Sequence, residues 1–561
     1  MTLRFLLVCV VCATCLLAAV APSSQQKPAT TGAPTYSIAG VVVDAATGDT
    51  VPHAQVSLAV DSEPVAEVAD DNGRFRISGL EAGKYPLYAK AAGYVAQGFE
   101  QHGSFLTGIA VGQGLDSEHL LFRLHKQGLI YGRVTDDRGE PVRNANVQLV
   151  LLAAPGDFSG RPRVSAGHPT NDLGEYRLAG LSAGTYRIVV QAQPWYARPG
   201  FVYRQEPPSG LSGDRSVVVE THLSAPFRNS SLDVVYPITF YPGVTDPQSA
   251  GEISIAAGAS LEANVQILAV PALHLRLTNI PDQAGRENSF NVGGFQKAAG
   301  SQFGVPMMMQ RIGPGEFEVA GIPPGDVTLV LNSGDPQGRP EQRIEITARG
   351  DATLDAAQAP IAAHVSGRVS LPEADSVIEN AGVILLSEGE NPFFAQAKKD
   401  GTFEFPSVPT GSYKVVANLP MRGAYVRKLT AVGGKLHGNE LTISAGADIQ
   451  LNVAGAVGAG HIAGVVTLNG KPAPGIMVLL VPESRENGED DRRMDQSDSD
   501  GSFSLFSIIP GKYRLLALQD GWDLDWRDSA VLNPYLTKAL PLQITPGDSK
   551  KLTLEAQAKV K

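Results

Sequence analysis

The residues best placed to do chemistry are His437-Gly438-Asn439-Glu440, an H-x-x-E string. Such a pair can offer zinc two ligands, but catalysis needs a third protein ligand, an open position and a general base. Only His461 follows, in the opening strand of another repeat, and no stretch suited to an α/β peptidase domain remains. Gly180-Leu181-Ser182-Ala183-Gly184 fits G-x-S-x-G, the turn that perches a nucleophilic serine between a strand and a helix. The chain repeats this place as GLEAG, GIPPG, SVPTG and SIIPG, with Glu81 and Pro323 where the serine stands, and a strand pattern follows. Asp490, Asp491, Asp495, Asp498 and Asp500 gather like a calcium loop, yet Gln496 and Ser507 occupy the places where an EF-hand needs its first and last acids. The acidic run reads as a solvated hairpin. The histidines are dispersed, with no H-E-x-x-H. These readings lead to a non-enzyme, with no catalytic residue, no metal and no cofactor.

Aromatic residues offer binding rather than catalysis. Trp195-Tyr196 follows the strand pattern TYRIVVQAQP, and Trp522 and Trp526 follow KYRLLALQDG; Tyr94 and Tyr425 hold similar places elsewhere. Exposed tryptophan and tyrosine stack on sugar rings, each adding on the order of 0.5–1.5 kcal/mol beyond area, and several weak sites in tandem gain by avidity. Trp195, Tyr196, Trp522 and Trp526 are therefore the candidate ligand-binding residues. The competing reading is that they cap the open ends of their own domains.

The elements that would carry them repeat five times. Gapless copies begin at Asp71, Asp172, Gly313, Lys399 and Ser499. Each has a first glycine (Gly73, Gly174, Gly315, Gly401, Gly501) and a second ten residues later (Gly83, Gly184, Gly325, Gly411, Gly511). An aromatic follows the first glycine by two (Phe75, Tyr176, Phe317, Phe403, Phe503), and Tyr85, Tyr186, Val327, Tyr413 or Tyr513 follows the second. Apolar residues alternate with polar ones between the glycines, the period of a half-buried strand. Opening strands with a glycine recur at Gly40, Gly132, Gly367 and Gly464, and closing strands end each copy. About seven short strands per copy of roughly 90–100 residues is the count of a β-sandwich. The expected fold is all-β: a tandem array of five sandwiches at 35–126, 127–270, 271–358, 359–457 and 458–561. The second carries a Pro/Gly/Ser-rich loop insertion over 196–241, and the third lacks the opening glycine.

Composition agrees. The 561 residues are 43 % hydrophobic and only 18 % charged, with 60 glycines and 39 prolines, which favours short strands and turns over long helices. A net charge of −11 with no basic tract lacks the footprint of a nucleic-acid binder. Residues 1–21 read as a signal peptide and 22–34 as a flexible leader, so the protein is expected to be secreted, with no membrane span after signal removal. Cys9, Cys12 and Cys15 all fall in that signal, leaving no thiol chemistry in the mature chain.

The G-x-V opening strand, the D-x-x-G-x-[FY] turn and the [GS]-[LIV]-x-x-G-x-Y crossing resemble the carboxypeptidase regulatory-like domain. That resemblance implies a transthyretin-like (prealbumin-type) sandwich grouped with carbohydrate-binding-like folds, and it confers no peptidase activity. Related sandwiches carry a Lys–Asn isopeptide bond, but these opening strands have no lysine, so that crosslink is not expected here. The function expected is binding of glycan or protein surface ligands at the cell envelope. The alternatives are a spacer or adhesin-type stalk and an accessory subunit of a separately encoded peptidase.

Overall fold

The structure, a computed structural model, describes residues 34–59, 65–153, 162–197, 231–280, 291–298, 300–332, 342–371, 380–387, 391–483 and 492–558. The expected signal peptide, nearly all of the leader and most of the 196–241 insertion lie outside these residues, as do Asp490 and Asp491.

Side-chain alternation sets the first strand of each repeat. In Arg74–Leu80, Phe75 and Ile77 are buried while Arg74, Arg76 and Ser78 are exposed. Glu175–Leu181, Glu316–Ile322, Thr402–Val408 and Ser502–Ile508 likewise bury the aromatic at their second position. Each pairs antiparallel with an opening strand: Tyr36–Asp44, Gly128–Thr135, Leu273–Thr278, Ala363–Ser370 or Gly460–Leu468. On its other edge the opening strand runs parallel to a closing strand, for example Leu120–Leu124, Asp448–Val457 or Ser549–Glu555. A second antiparallel sheet faces this one; in the fourth repeat its order is Phe393–Gln396, Gly382–Leu386, Gly411–Asn418, Glu440–Ile443, Lys435–His437. Between the sheets lie separate apolar clusters containing Phe75, Tyr176, Phe317, Phe403 and Phe503. The protein is all-β but for short 3-10 turns and, among the described residues, one α-helix, Ser529–Leu536.

The opening glycine sits where the closing strand and the repeat's aromatic ring converge. A Cβ at Gly367 would lie 1.8 Å from the Leu451 carbonyl oxygen and 2.7 Å from the Phe403 ring. At Gly464 the corresponding distances are 2.1 Å to the Leu552 oxygen and 2.7 Å to Phe503. The third repeat puts Leu277 at this register place, opposite Phe317 and Leu354, and buries it. The tyrosine after the second glycine has a distinct task. Tyr85, Tyr186, Tyr413 and Tyr513 each donate the phenol hydrogen to the carbonyl four residues upstream, at 2.9, 2.8, 2.9 and 2.6 Å. The crossing between sheets is thereby pinned to the strand that leaves it, as in the tyrosine corner of other sandwiches.

One seam joins the second sandwich to the third. Val150, Val189, Ile238 and Phe240 of the second pack with Ala298 and Phe303 of the third, and the Gln191 amide donates to the Gly304 carbonyl at 2.6 Å. Beside them His274 is held between Asp233 (Nε2 to carboxylate, 2.7 Å) and Glu318 (Nδ1, 2.7 Å) and is buried. Burial disfavours its charged form, but the Glu318 and Asp233 carboxylates outweigh burial and raise its pKa above the ordinary histidine value. A second seam joins the first sandwich to the fifth and carries Trp522.

Gly367→Ala should destabilise the fourth sandwich by about 1–3 kcal/mol or more, because backbone must give way to the new methyl; thermal unfolding of the whole chain reads it. The His274 contribution has a defined sign. With its folded pKa raised, it is fully present below the unfolded value of about 6.5 and is lost as pH rises through the folded value. The melting temperature of the part spanning the second and third sandwiches should therefore fall on the alkaline side of the histidine range. His274→Gln should flatten that fall, and an unchanged slope in the variant would remove His274 as its source.

Candidate ligand-binding surfaces

The strand Gly184–Gln191 delivers Trp195 and Tyr196, with buried Pro194 anchoring the chain between them and the sheet. Tyr196 is half-buried and hydrogen-bonds Tyr236, whose own phenol burial pushes up to about 12. Trp195 stands edge-on to Tyr196, ring centroids 5.9 Å apart and planes at 89°, and is 90 % exposed. Its faces are open to a ligand, on a base that the tyrosine pair fixes.

The outer face of the same sandwich's other sheet is a broad groove of about 1180 Å³. Alternation turns Tyr131 and Arg133 outward from the opening strand and Glu175 and Arg177 outward from its neighbour; Glu262 and Asn264 line the far side. These side chains brace one another. Arg133 pairs with Glu175 at 3.4 Å, the Asn264 oxygen accepts from the Arg133 backbone at 2.8 Å, and the Asn264 amide donates to Glu262 at 2.9 Å. The Asn171 side chain first, then Arg133, holds the Glu175 carboxyl below the usual carboxylate range, so it is ionised near neutral pH and is no proton donor. A tyrosine flanked by planar, fixed hydrogen-bonding groups can bind a polyhydroxylated chain along its rings and hydroxyls. Sequence reasoning missed this groove, although the outward Tyr-x-Arg of the opening strand and the Glu-x-Arg of its partner were its readable signal.

Trp522 and Trp526 are placed otherwise. Both are buried, at 6 % and 8 % exposure, in a cluster with Met477, Leu479, Leu516 and Leu518 beneath the helix Ser529–Leu536. This corrects the expectation that they present open faces: the fifth sandwich has an apolar outer sheet face that must be covered, and the tryptophans cover it. The sequence signal was present in Met477–Pro482, apolar at successive positions rather than alternating, as a strand buried on both faces must be. The guanidinium carbons of Arg492 and Arg527 lie 5.7 and 5.6 Å from the Trp526 ring centre.

Trp522 also reaches another sandwich. It stacks on His102 of the first (4.9 Å, 7°), lies 5.6 Å from Phe105, and donates from Nε1 to the Gly475 carbonyl at 3.0 Å. Around it the contact is polar. The buried Gln496 amide donates to the Glu100 carbonyl (2.7 Å) and the Thr107 hydroxyl (2.8 Å), and its oxygen lies 3.0 Å from His102 Nδ1. Asp498 accepts from the Gly108 backbone and pairs with Lys84, while Ser499 accepts from the Ala110 backbone at 2.8 Å. Burial raises the Asp498 pKa, opposed by Lys84.

The other strings are placed plainly. His437 and Glu440 face each other across the hairpin turn of Lys435–His437 and Glu440–Ile443, both exposed, and Glu440 accepts from the Ser412 hydroxyl at 2.6 Å. Ser182 lies in a strand-to-strand crossing, where its carbonyl accepts from Tyr186. Asp495 accepts from the Gln496 and Ser504 backbone and Asp500 serves Ser502, so these acids are spent on turn backbone and seam. Among the described residues no cluster could hold a metal ion.

The model of the carboxypeptidase regulatory-like domain matches residues 37–116 and 130–200. No curated protein matches the chain. Among solved structures, the Bacillus anthracis TIE protein aligns at 9 % identity and TM-score 0.16, covering 93 % of this chain and 68 % of that one. The minor pilin of Streptococcus agalactiae aligns at 11 % and 0.21, covering 44 % and 100 %. A putative carbohydrate-binding protein from Bacteroides uniformis aligns at 12 % and 0.13, covering 28 % and 88 %.

Gln496→Ala should weaken the seam of the first and fifth sandwiches by about 1–3 kcal/mol, since it strands the Glu100 carbonyl and Thr107. Acrylamide quenching of Trp522 should then rise and small-angle scattering should report a larger radius of gyration. No change in either would show that Gln496 does not hold the seam.

Proposed function

We propose that this chain, whose residues 37–116 and 130–200 are of the carboxypeptidase regulatory-like type, is a secreted, non-catalytic β-sandwich array that binds carbohydrate at the cell envelope. The observation that carries the reading is Trp195, 90 % exposed on a braced base in the same sandwich as the Tyr131 groove. An indole in water on both faces gains from a sugar ring, and a hydrophobic core gains nothing from it there. One ring contributes only on the order of 0.5–1.5 kcal/mol beyond area, so tight retention requires a polymer that engages several surfaces at once. Secretion rests on the signal-like first 21 residues. A simple extended spacer would make only neighbour contacts, whereas here the first sandwich docks on the fifth. That observation favours a ligand-binding array over a rod.

Intrinsic fluorescence tests this directly, because Trp522 and Trp526 are packed and Trp195 is not. Titration with a panel of neutral polysaccharides should give a saturable shift with at least one of them. Trp195→Ala should abolish that shift and leave the melting temperature unchanged, while Trp522→Ala should lower the melting temperature and keep the shift. A chain whose Trp195 responds to no polysaccharide, and remains open to quencher throughout, would overturn the carbohydrate reading for this surface.

A further inference from the structure

A cleft of about 430 Å³ opens between the fourth and fifth sandwiches, lined by the end of Gly411–Asn418, by 421–429, and by Arg493, Ser507 and Ile509 of the next repeat. Its charge is one-sided. Arg422, Arg427, Lys428 and Arg493 all line it, and no carboxylate is among its described lining residues. Arg422, Arg427 and Lys428 are exposed, and none forms an ion pair among the described residues. In a chain of net charge −11 this gathering is the opposite of the average surface. Like charges held together repel, and an anion bound among them relieves that repulsion.

Two further features give the cleft shape. Arg493 is fixed: its Nε and one terminal nitrogen donate to the Ser507 carbonyl at 3.2 and 3.0 Å. Ser507 holds φ at +55°, where its counterparts Gly79, Gly180 and Gly321 are glycines, so the turn that offers this carbonyl is kept at a conformational cost. Tyr425 supplies a half-buried aromatic ring on the same wall. A guanidinium fork matches a carboxylate or sulfate with two parallel hydrogen bonds, and an aromatic ring matches the apolar face of a sugar. Inorganic phosphate would use the cations and leave the ring unused.

We infer that this cleft binds an acidic saccharide, its anionic group held by Arg422, Arg427 and Lys428 and its ring against Tyr425. The inference rests on the carbohydrate-binding reading but on a different surface from Trp195, and it names the ligand class as uronate-type or sulfated sugars.

The test is isothermal titration calorimetry of the whole chain with oligogalacturonate, beside its neutral methyl ester and inorganic polyphosphate. Oligogalacturonate should bind, the ester should bind at least roughly tenfold more weakly, and affinity should fall as salt rises past about 0.1 M. Replacing Arg422, Arg427 and Lys428 together by glutamine should weaken oligogalacturonate by roughly tenfold or more, with the melting temperature unchanged because all are exposed. The ester comparison needs no variant and stands even if one misfolds. Oligogalacturonate binding no tighter than its ester, or polyphosphate binding as tightly as oligogalacturonate and independently of Tyr425, would overturn the inference. Neutral polysaccharides shifting Trp195 without oligogalacturonate binding would overturn this cleft and leave the broader function; no saccharide binding at all would remove both.

Discussion

In four of the five repeats, a glycine lets the last strand of a sandwich lie against its first. The closing strand's carbonyl comes within 2.2 Å of where a Cβ would stand at Gly40, and closer still at Gly367. That approach joins the first-made strand of the sheet to the last-made one, so no sandwich is finished until its closing strand arrives. In these four repeats the buried aromatic stands opposite the same glycine in register; at Gly367 and Gly464 its ring atoms are among the three nearest to the missing methyl. The core, the parallel edge and the turn that leads into the aromatic strand are thus one constraint. Outer faces, which carry any ligand chemistry, are free to vary because that constraint lies inside.

Variation of the outer faces follows directly. In the second sandwich the face beside the opening strand carries Tyr131, Arg133, Glu175 and Arg177 and stays open. The corresponding face of the fourth holds His364 between Asp448 (3.0 Å) and Glu404 (2.8 Å), which raise its pKa, Asp448 contributing most. The third turns the same histidine place, His274, into part of a seam. The fifth has an apolar face on its opposite sheet and spends two tryptophans and its helix on covering it. One scaffold therefore supplies a groove, an ion triad, a junction and a capped face by changing residues that the core does not see.

Much of the fold was legible because the repeat is built from signals of short range. Two-residue alternation and Asp-x-x-Gly turns act within a few residues, and the opening glycine recurs at a fixed place in four of the repeats. The site was less legible for a physical reason. Whether an aromatic is a platform or a cap depends on what lies across from it, and for Trp522 that is His102 and Phe105, hundreds of residues away. Trp195 and Trp522 follow the same strand type in their repeats, yet one is open and the other packed. The distinguishing feature was the neighbouring strand: Met477–Pro482 is apolar on both faces. The cationic cleft was hidden for a similar reason, since Arg422, Arg427 and Lys428 are near one another in sequence but Arg493 joins them only through the next sandwich.

The docking of the first sandwich on the fifth also sets a clock. His102 and Gln496 are 394 positions apart. At roughly 5–20 residues per second, a ribosome needs on the order of 20–80 s between making one and the other. For that interval the first sandwich must survive with its docking face in water. Apart from the His102 and Phe105 rings, its contribution to the seam suits the wait: the Lys84 ammonium, the Glu100 carbonyl, the Thr107 hydroxyl and the Gly108 and Ala110 amides all hydrate well. The larger apolar share of the contact, Trp522 with its leucines, belongs to the partner made last and finds its cover almost at once.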